Sequence, residues 1–462
     1  MIFSLDRNLS LPMHRQLYQR ILESIADGRL QPGSRVPSMR ALAAELNLAR
    51  GTVEAAYQQL IAEGYLHAQG AAGTRVTPQL ALRSLPLQGQ ASPIEDYEAV
   101  HSGSLPLGLQ MGLPALDAFP RTTWNRLAAR QLRHAGIEGL VYPHARGNIE
   151  LRSAIARYLG VSRGITCRAE QVFVCAGYRA CLDLISRTLM AKGDECWFEE
   201  PGYFLARQFL QQAGAMLVPV PVDAQGLQVA CGIARAPAAR FAVVTPTHQS
   251  PLGVSLSLAR RLELLAWANR QGSWIIEDDY DSEYRYIGKP LPALKSLDEQ
   301  GRVLYTGTFS KVLFPGLRLA YLVVPPEQVG AFACQADRLH NHCPSLLQAT
   351  VTAFMHEGHF ARHLKKMRSL YARRRGYLIE ALQARFGEAL VIDRQAGGMH
   401  LVARLHGGDD RAIAQRARER GLAIEPLSAW YLEAPASSGL VMSFTNVLSP
   451  EHAAALVAKV PD

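Results

Sequence analysis

Six short, mostly apolar runs recur through the middle of the chain, at 171–174, 195–198, 241–244, 274–276, 303–305 and 320–323. Helical periodicity lies between some of them, at 180–189, 203–212 and 258–271. Runs this short, with no clear polar face, are what strands become when both faces of a sheet are covered. Alternation with helices supplies the cover and makes the sheet mostly parallel. The order therefore predicts an α/β domain whose ligand chemistry sits at the C-terminal ends of its strands.

Three of those strand ends carry reactive or anion-binding residues. Val174-Cys175-Ala176 is followed by Gly177-Tyr178-Arg179 at a helix start, where a glycine and free backbone N–H groups make a phosphate cradle. Ile275-Ile276 runs into Glu277-Asp278-Asp279-Tyr280-Asp281. A buried carboxylate there, facing a pyridine nitrogen, would keep that nitrogen protonated, and a nearby tyrosine would bond the ring's phenolic oxygen. Either Asp278 or Asp279 fits this description. Val303-Leu304-Tyr305 delivers Gly307-Thr308-Phe309-Ser310-Lys311. Of the seven lysines (192, 289, 295, 311, 365, 366 and 459), only Lys311 follows a buried strand with hydroxyl residues beside it. That setting suits a covalent link to pyridoxal 5′-phosphate. Pro315-Gly316-Leu317-Arg318 then returns a guanidinium to the same edge, where it can grip a phosphate.

The first 77 residues read differently. Leu17, Ile21, Leu22 and Ile25 recur at helical spacing after Leu11-Pro12. Ser38 is an N-cap for a second short helix, Asn47-Leu48-Ala49 a tight turn, and residues 50–63 a third helix. Two strands follow around the loop Gln69-Gly70-Ala71-Ala72-Gly73, forming a wing. In such a module the third helix enters the major groove by its N-terminal residues, here Arg50, Gly51 and Thr52. Ser38 and Arg40 would make a second phosphate contact, and Arg75 on the wing would approach the minor groove. Residues 78–106 lose periodicity and are rich in Gln, Ser and Pro, so they read as a flexible linker to a body at 107–462.

Composition narrows the setting. The chain has 462 residues, 48% hydrophobic and 19% charged, which excludes intrinsic disorder as the default. No apolar run reaches membrane-spanning length and no signal-peptide pattern opens the chain, so the reading is cytoplasmic with no membrane partner. The net charge of +9 permits nucleic-acid binding, but the head mixes its arginines with Glu23, Asp27, Glu45, Glu54 and Glu63, so DNA recognition there rests on pattern. The 7 cysteines form no C-x-x-C pair and read as reduced thiols. His340-Asn341-His342-Cys343 lacks a second ligand cluster, so no metal is expected. The basic run from Arg362 to Arg375 interleaves Leu364, Met367, Leu370 and Tyr371 and reads as a solvated amphipathic helix.

Val36-Pro37-Ser38-Met39-Arg40-Ala41-Leu42-Ala43, Leu48-Ala49-Arg50-Gly51-Thr52-Val53 and Glu63-Gly64-Tyr65-Leu66 together resemble the GntR-type winged helix, with Ala49 where Ser is common and Gly51 where a polar residue is common. From about Leu107 onward the chain resembles fold-type I aminotransferases. Tyr142-Pro143-His144-Ala145-Arg146-Gly147, Glu200-Pro201-Gly202-Tyr203 and Pro251-Leu252-Gly253 fall in that family's order. Both halves, with Glu277 to Tyr284 and Gly358-His359-Phe360-Ala361-Arg362-His363-Leu364, resemble the MocR/PdxR group of the GntR superfamily. The resemblance implies an internal aldimine on Lys311, Asp278 at the pyridine nitrogen, and Tyr280 at the ring hydroxyl. It implies Tyr178, Arg179, Thr308, Ser310 and Arg318 at the phosphate, Tyr203 stacked on the ring, and Tyr142 reaching in from a neighbouring subunit. It also implies a homodimer on double-stranded operator DNA with paired half-sites, sensing pyridoxal 5′-phosphate or an amine or amino-acid effector. The alternative is an active aminotransferase with an accessory DNA-binding head. Two departures weigh on that alternative. His248-Gln249-Ser250 replaces the asparagine common before Pro-x-Gly, and Gly439-Leu440-Val441-Met442-Ser443-Phe444 has no arginine for a substrate carboxylate.

Overall fold

Apolar residues at helical spacing draw three helices around one small core in the first part of the chain. α1 (Met13–Ala26), α2 (Met39–Glu45) and α3 (Arg50–Ala62) bury Leu17, Ile21, Ile25, Leu42, Val53, Tyr57 and Leu60 together. Ser38 accepts the Ala41 N–H at 3.1 Å and starts α2, as its residue type predicts. Asn47 takes the left-handed conformation (φ 51°) in the turn before α3. β1 (Leu66–Ala68) and β2 (Thr74–Val76) pair antiparallel, Leu66 opposite Val76, and form the wing.

This is a computed structural model, and it describes residues 5–7, 9, 11–78, 106–288, 291–393 and 395–461. The chain divides into two compact units, residues 1–104 and 105–462. All but the end residues of the predicted linker, 78–106, lie outside the described residues.

The second unit is built on an eight-stranded sheet. Its strands are β3 (Val172–Cys175), β4 (Glu195–Glu200), β5 (Met216–Asp223), β6 (Gly226–Leu227), β7 (Phe241–Val244), β8 (Trp274–Asp279), β9 (Val303–Thr308) and β10 (Ala320–Val323). They lie in the order β3-β10-β9-β8-β7-β4-β5-β6. The ladders joining β9, β8, β7, β4 and β5 are parallel, whereas β10 runs antiparallel to both its neighbours. Alternate residues enter opposite cores, as the double-covered reading requires. Val172, Val174, Tyr305 and Val323 join one cluster, and Phe173, Cys175, Leu304 and Leu322 join the other. β5 went unpredicted because Pro219 and Pro221 interrupt its apolar run. It tolerates them because β6, two residues long, pairs only with its far end, so 216–221 has a ladder on one side alone.

A second, antiparallel sheet follows near the C-terminus, in the order β11-β12-β14-β13: β11 (Leu390–Ile392), β12 (His400–Leu405), β13 (Glu425–Pro426) and β14 (Gly439–Ser443). Between the two sheets in sequence runs the helix His359–Phe386, which buries Leu364, Met367, Tyr371, Leu378 and Leu382 and exposes Arg362, Lys365, Lys366, Arg368 and Arg373. That is the amphipathic helix expected of the basic run, except that His363 and Arg374 of the run are buried, Arg374 paired with Asp117. Among the described residues, no helix is long and apolar enough to cross a membrane.

Candidate functional site

The parallel register of β8 and β9 sets Asp278 beside Thr306 and Asp279 beside Gly307, at the strand ends where ligand chemistry was expected. Period-two alternation then separates three consecutive acids. Glu277 is fully buried and accepts the N–H groups of Leu294 and Lys295, each at 2.8 Å. Asp279 points to that side too. Arg163 donates to it at 2.8 Å and the Tyr305 hydroxyl at 2.5 Å, and Arg163 also bonds Thr247 and the Leu291 carbonyl. Asp279 is thus consumed by a buried ion pair.

Asp278 faces the other way, towards Tyr178, Glu199 and Lys311. Burial pushes its carboxyl up to about 8, against the opposing pull of Tyr178 and Lys311. The Tyr178 hydroxyl is buried beside it and faces the Asp278 carboxylate, which together with burial raises its phenol. Lys311, three residues past the end of β9, donates from Nζ to the Gly112 carbonyl at 2.9 Å. Burial lowers its ammonium below the usual lysine range, while Asp278 and Asp281 hold it back up. Gly112 has φ +77°, and a Cβ there would lie 2.6 Å from Nζ. The left-handed backbone favours glycine there, and its carbonyl holds the amine, a role the sequence reading missed although Gly112-Leu113-Pro114 is a turn signal.

The remaining predicted residues arrange themselves unevenly. Gly177 (φ +97°) opens the helix Tyr178–Leu189 without a side-chain cap, leaving backbone N–H groups free. Arg318, itself left-handed at φ 51°, reaches back to the Ala176 carbonyl at 2.9 Å, and its guanidinium would touch any Cβ added to Gly177. The Thr308 hydroxyl accepts the Ser310 N–H at 3.1 Å and shapes the bend that delivers Lys311. Gly307 is obligatory because a Cβ would strike the Tyr321 ring. Tyr203 precedes the helix Phe204–Gln212, its ring 6.5 Å from Tyr178 and 6.1 Å from Trp430. Burial near Asp278 pushes its phenol up to about 12. The Tyr280 hydroxyl lies 2.9 Å from His248 Nδ1.

Arg179, predicted at the phosphate, is not brought to this group, and Tyr142 was expected from a neighbouring subunit. Arg179 is exposed and turns along the helix surface, over the Phe209 ring at 5.5 Å and bonded to Gln212. Its guanidinium has found nearer partners than a phosphate at Gly177. Tyr142 is 90% exposed, on a segment with Ile137, Leu140 and Val141 also exposed. The missing arginine in β14 is structurally clear: Val441 is fully buried against Leu252, Val402, Leu427 and Trp430.

In the first unit, Arg50 and Gly51 stand exposed at the α3 N-terminus, with nothing within 4 Å of a Gly51 Cβ. Thr52 is half-buried beside them, and Arg40 is exposed on α2. Arg75 differs from the expectation: its guanidinium bonds the Gly33 carbonyl at 2.9 Å and ties the wing to the preceding loop. Arg35, which was not singled out, packs its guanidinium against Gly73 of the wing.

Comparison with known proteins accounts for both halves. Residues 13–76 match the family "Bacterial regulatory proteins, gntR family", and residues 109–447 match "Aminotransferase class I and II". The chain is 38% identical to the probable rhizopine catabolism regulatory protein MocR of Rhizobium meliloti, over 96% of this chain and 92% of that one. The chain belongs to the MocR-type transcriptional regulators. This regulator is also 33% identical to the pyridoxine biosynthesis regulator PdxR of Corynebacterium glutamicum, over 93% of this chain and 91% of that one. Its second unit is similar to the α-aminoadipate aminotransferase LysN of Thermus thermophilus, crystallised with N-(5′-phosphopyridoxyl)-L-leucine (28% identity, TM-score 0.71, 80% of this chain and 94% of that one). The GntR head and the fold-type I body read from the sequence are therefore both present.

Proposed function

We propose that this regulator holds pyridoxal 5′-phosphate on Lys311, senses there either the cofactor itself or an amine or amino-acid effector, and relays the outcome to operator DNA bound by residues 13–76. The observation that carries this reading is the convergence of Lys311, Asp278 and the Tyr178 hydroxyl at the ends of β8, β9 and the Gly177 turn. These groups fit the cofactor. The free N–H groups after Gly177, with Arg318 against that turn, suit a phosphate, and the buried Asp278 carboxyl facing Lys311 suits a pyridine nitrogen. When bound, the cofactor would supply an aldehyde that exchanges one amine for another.

The chain's own residues do the rest. Burial leaves more of the Lys311 amine unprotonated and nucleophilic at neutral pH than an exposed lysine would have. Asp278 pairs with the pyridine nitrogen, and its raised carboxyl sits near neutrality, ready to share a proton there. Tyr178, Thr308, Ser310 and Arg318 hold the phosphate, Tyr203 stacks on the ring and Tyr280 bonds its hydroxyl. In the head, Arg50, Gly51, Thr52, Ser38 and Arg40 face double-stranded DNA, with Arg75 supporting the wing. A homodimer is supported by the exposed apolar segment around Tyr142, which a second copy would cover while adding Tyr142 to the partner's site. Two-fold symmetry matches an operator with paired half-sites. The cytoplasm is the compartment where such an operator is met. Regulation is favoured over turnover by the buried Val441, which leaves the C-terminal strand no cation for a substrate carboxylate.

The test is borohydride reduction of the cofactor-saturated protein followed by peptide mass spectrometry. The tag falls on Lys311, and Lys311→Ala loses both the tag and the visible colour. A tag on another lysine, or none, overturns the reading.

A further inference from the structure

Three side chains meet at the end of β8, and two of them, His248 and Asp281, were given no contact with the cofactor above. His248 Nδ1 lies 2.9 Å from the Tyr280 hydroxyl and 3.1 Å from Asp281 Oδ2. The group is deep: His248 is 6% exposed and Asp281 1%. Among the described residues, neither Asp281 oxygen accepts a well-directed hydrogen bond, which leaves Nδ1 as its close polar neighbour. A carboxylate so enclosed keeps its charge only beside a donor.

The proton on His248 can be assigned from these surroundings. A neutral imidazole carries one N–H and one lone pair. A lone pair on Nδ1 would stand 3.1 Å from a buried carboxylate oxygen, two negative ends together. A proton on Nε2 would be a buried donor without an acceptor, because Nε2 has no partner. Both arguments place the proton on Nδ1, with the carboxylate setting the tautomer. The ring has little freedom to do otherwise. Gly398 (φ +92°) passes against it so closely that a Cβ there would collide with the imidazole. With Nδ1–H given to the Tyr280 oxygen, the tyrosine's own O–H has to leave in another direction, towards Ser250 or the pocket of Asp278 and Lys311.

We propose that Asp281 and His248 form a buried relay that fixes the Tyr280 hydroxyl as a hydrogen-bond donor into the Lys311 pocket, where its acceptor is an anionic oxygen on the ring of the bound ligand. This rests on the placement of Tyr280 at the ring hydroxyl of pyridoxal 5′-phosphate. His248 and Asp281 are positioning residues, since neither reaches the ligand. Besides Asp281, the ionisable groups facing Tyr280 are Asp278 on β8 and Glu199 on β4. His400 on β12 faces His248, ring to ring at 5.3 Å, and is itself bonded to the Pro251 carbonyl at 2.8 Å.

The experiment is a pH titration of the visible absorbance of the full-length, cofactor-loaded protein. A donor to the ring oxygen stabilises its anionic form, so losing the donor raises the midpoint. His248→Leu and Asp281→Asn each raise it in the direction of Tyr280→Phe, by up to about one pH unit, or tenfold in the equilibrium. The His248→Leu/Tyr280→Phe double variant moves it no further than Tyr280→Phe alone. His248→Asn, whose amide can set an N–H at the Nδ1 position, restores it. A second readout needs no cofactor: a far-downfield, slowly exchanging imidazole N–H proton in the NMR spectrum, lost in His248→Asn and moved upfield in Asp281→Asn. The relay is overturned if Tyr280→Phe shifts the midpoint while His248→Leu and Asp281→Asn leave it in place. A midpoint indifferent to Tyr280→Phe overturns it as well. So does a stoichiometric divalent metal in the purified protein, because polar atoms of His248, Asp281 and His400 lie within 4.8 Å of one another and a metal would take the Nδ1 lone pair. Failure of any colour to form on Lys311 refutes the cofactor reading instead, and the NMR arm still reports on His248.

Discussion

Asp278 and Asp279 are adjacent in sequence and opposite in environment. Arg163 and Tyr305 neutralise Asp279, at exposures of 4% and 2% for the two ion-pair side chains, so Arg163→Met leaves a bare buried carboxylate. Its cost is about 3–5 kcal/mol, read as a drop in the urea midpoint of the second unit. Asp278 has no such cation, and burial lifts it from 3.8 to about 8. In that window the folded chain holds a proton that the unfolded chain has released. Stability of the cofactor-free protein therefore falls as pH rises from about 4 to about 8, by at most about 1.4 kcal/mol per pH unit from this group. Glu199 and Glu277, both raised to about 7, slope the same way. The difference between wild type and Asp278→Asn isolates Asp278: the variant's thermal midpoint depends less on pH across that range. An equal slope in both proteins refutes the assignment. Residue type alone fits either acid and only the resemblance favours Asp278; their physical separation is a matter of strand pleat and of Arg163, more than a hundred residues away.

At the scale of elements, local signals were enough wherever one residue type settles the backbone. Ser38 starts α2 and caps it through the Ala41 N–H. Ser38→Ala should cost the head about 1 kcal/mol, lowering its melting transition and its DNA affinity while the second unit melts unchanged. An unaltered head transition would show that the cap is redundant. The apolar runs likewise marked β3, β4, β7, β8, β9 and β10. β5 was lost to Pro219 and Pro221, whose missing N–H groups cost little where the ladder has one side. The polar partners of Arg179 were hidden for a related reason. Phe209 and Gln212 sit on the next helix, and only packing shows that they capture its guanidinium.

At the scale of the whole molecule, an exposed Ile137, Leu140, Val141 and Tyr142 are costly to leave in water. Leu140→Glu should shift a dimer towards monomer in sedimentation and weaken the two-half-site footprint more than binding to a single half-site. A variant that sediments as wild type does would remove this segment from the interface. What the residues determined unaided was what local chemistry governs: strand and helix periods, the cap at Ser38, the lysine after a buried strand, and hence a winged helix joined to a mostly parallel α/β body, to which resemblance added the fold-type I aminotransferase family. Tertiary structure alone showed that Arg163 and Tyr305 occupy Asp279 while Asp278 faces Lys311, that the Gly112 carbonyl meets the Lys311 amine, and that His248 and Asp281 stand behind Tyr280. Those facts depend on residues from distant segments meeting in a low-dielectric interior, where a single proton or cation changes a side chain's role, and no spacing along the chain records such a meeting.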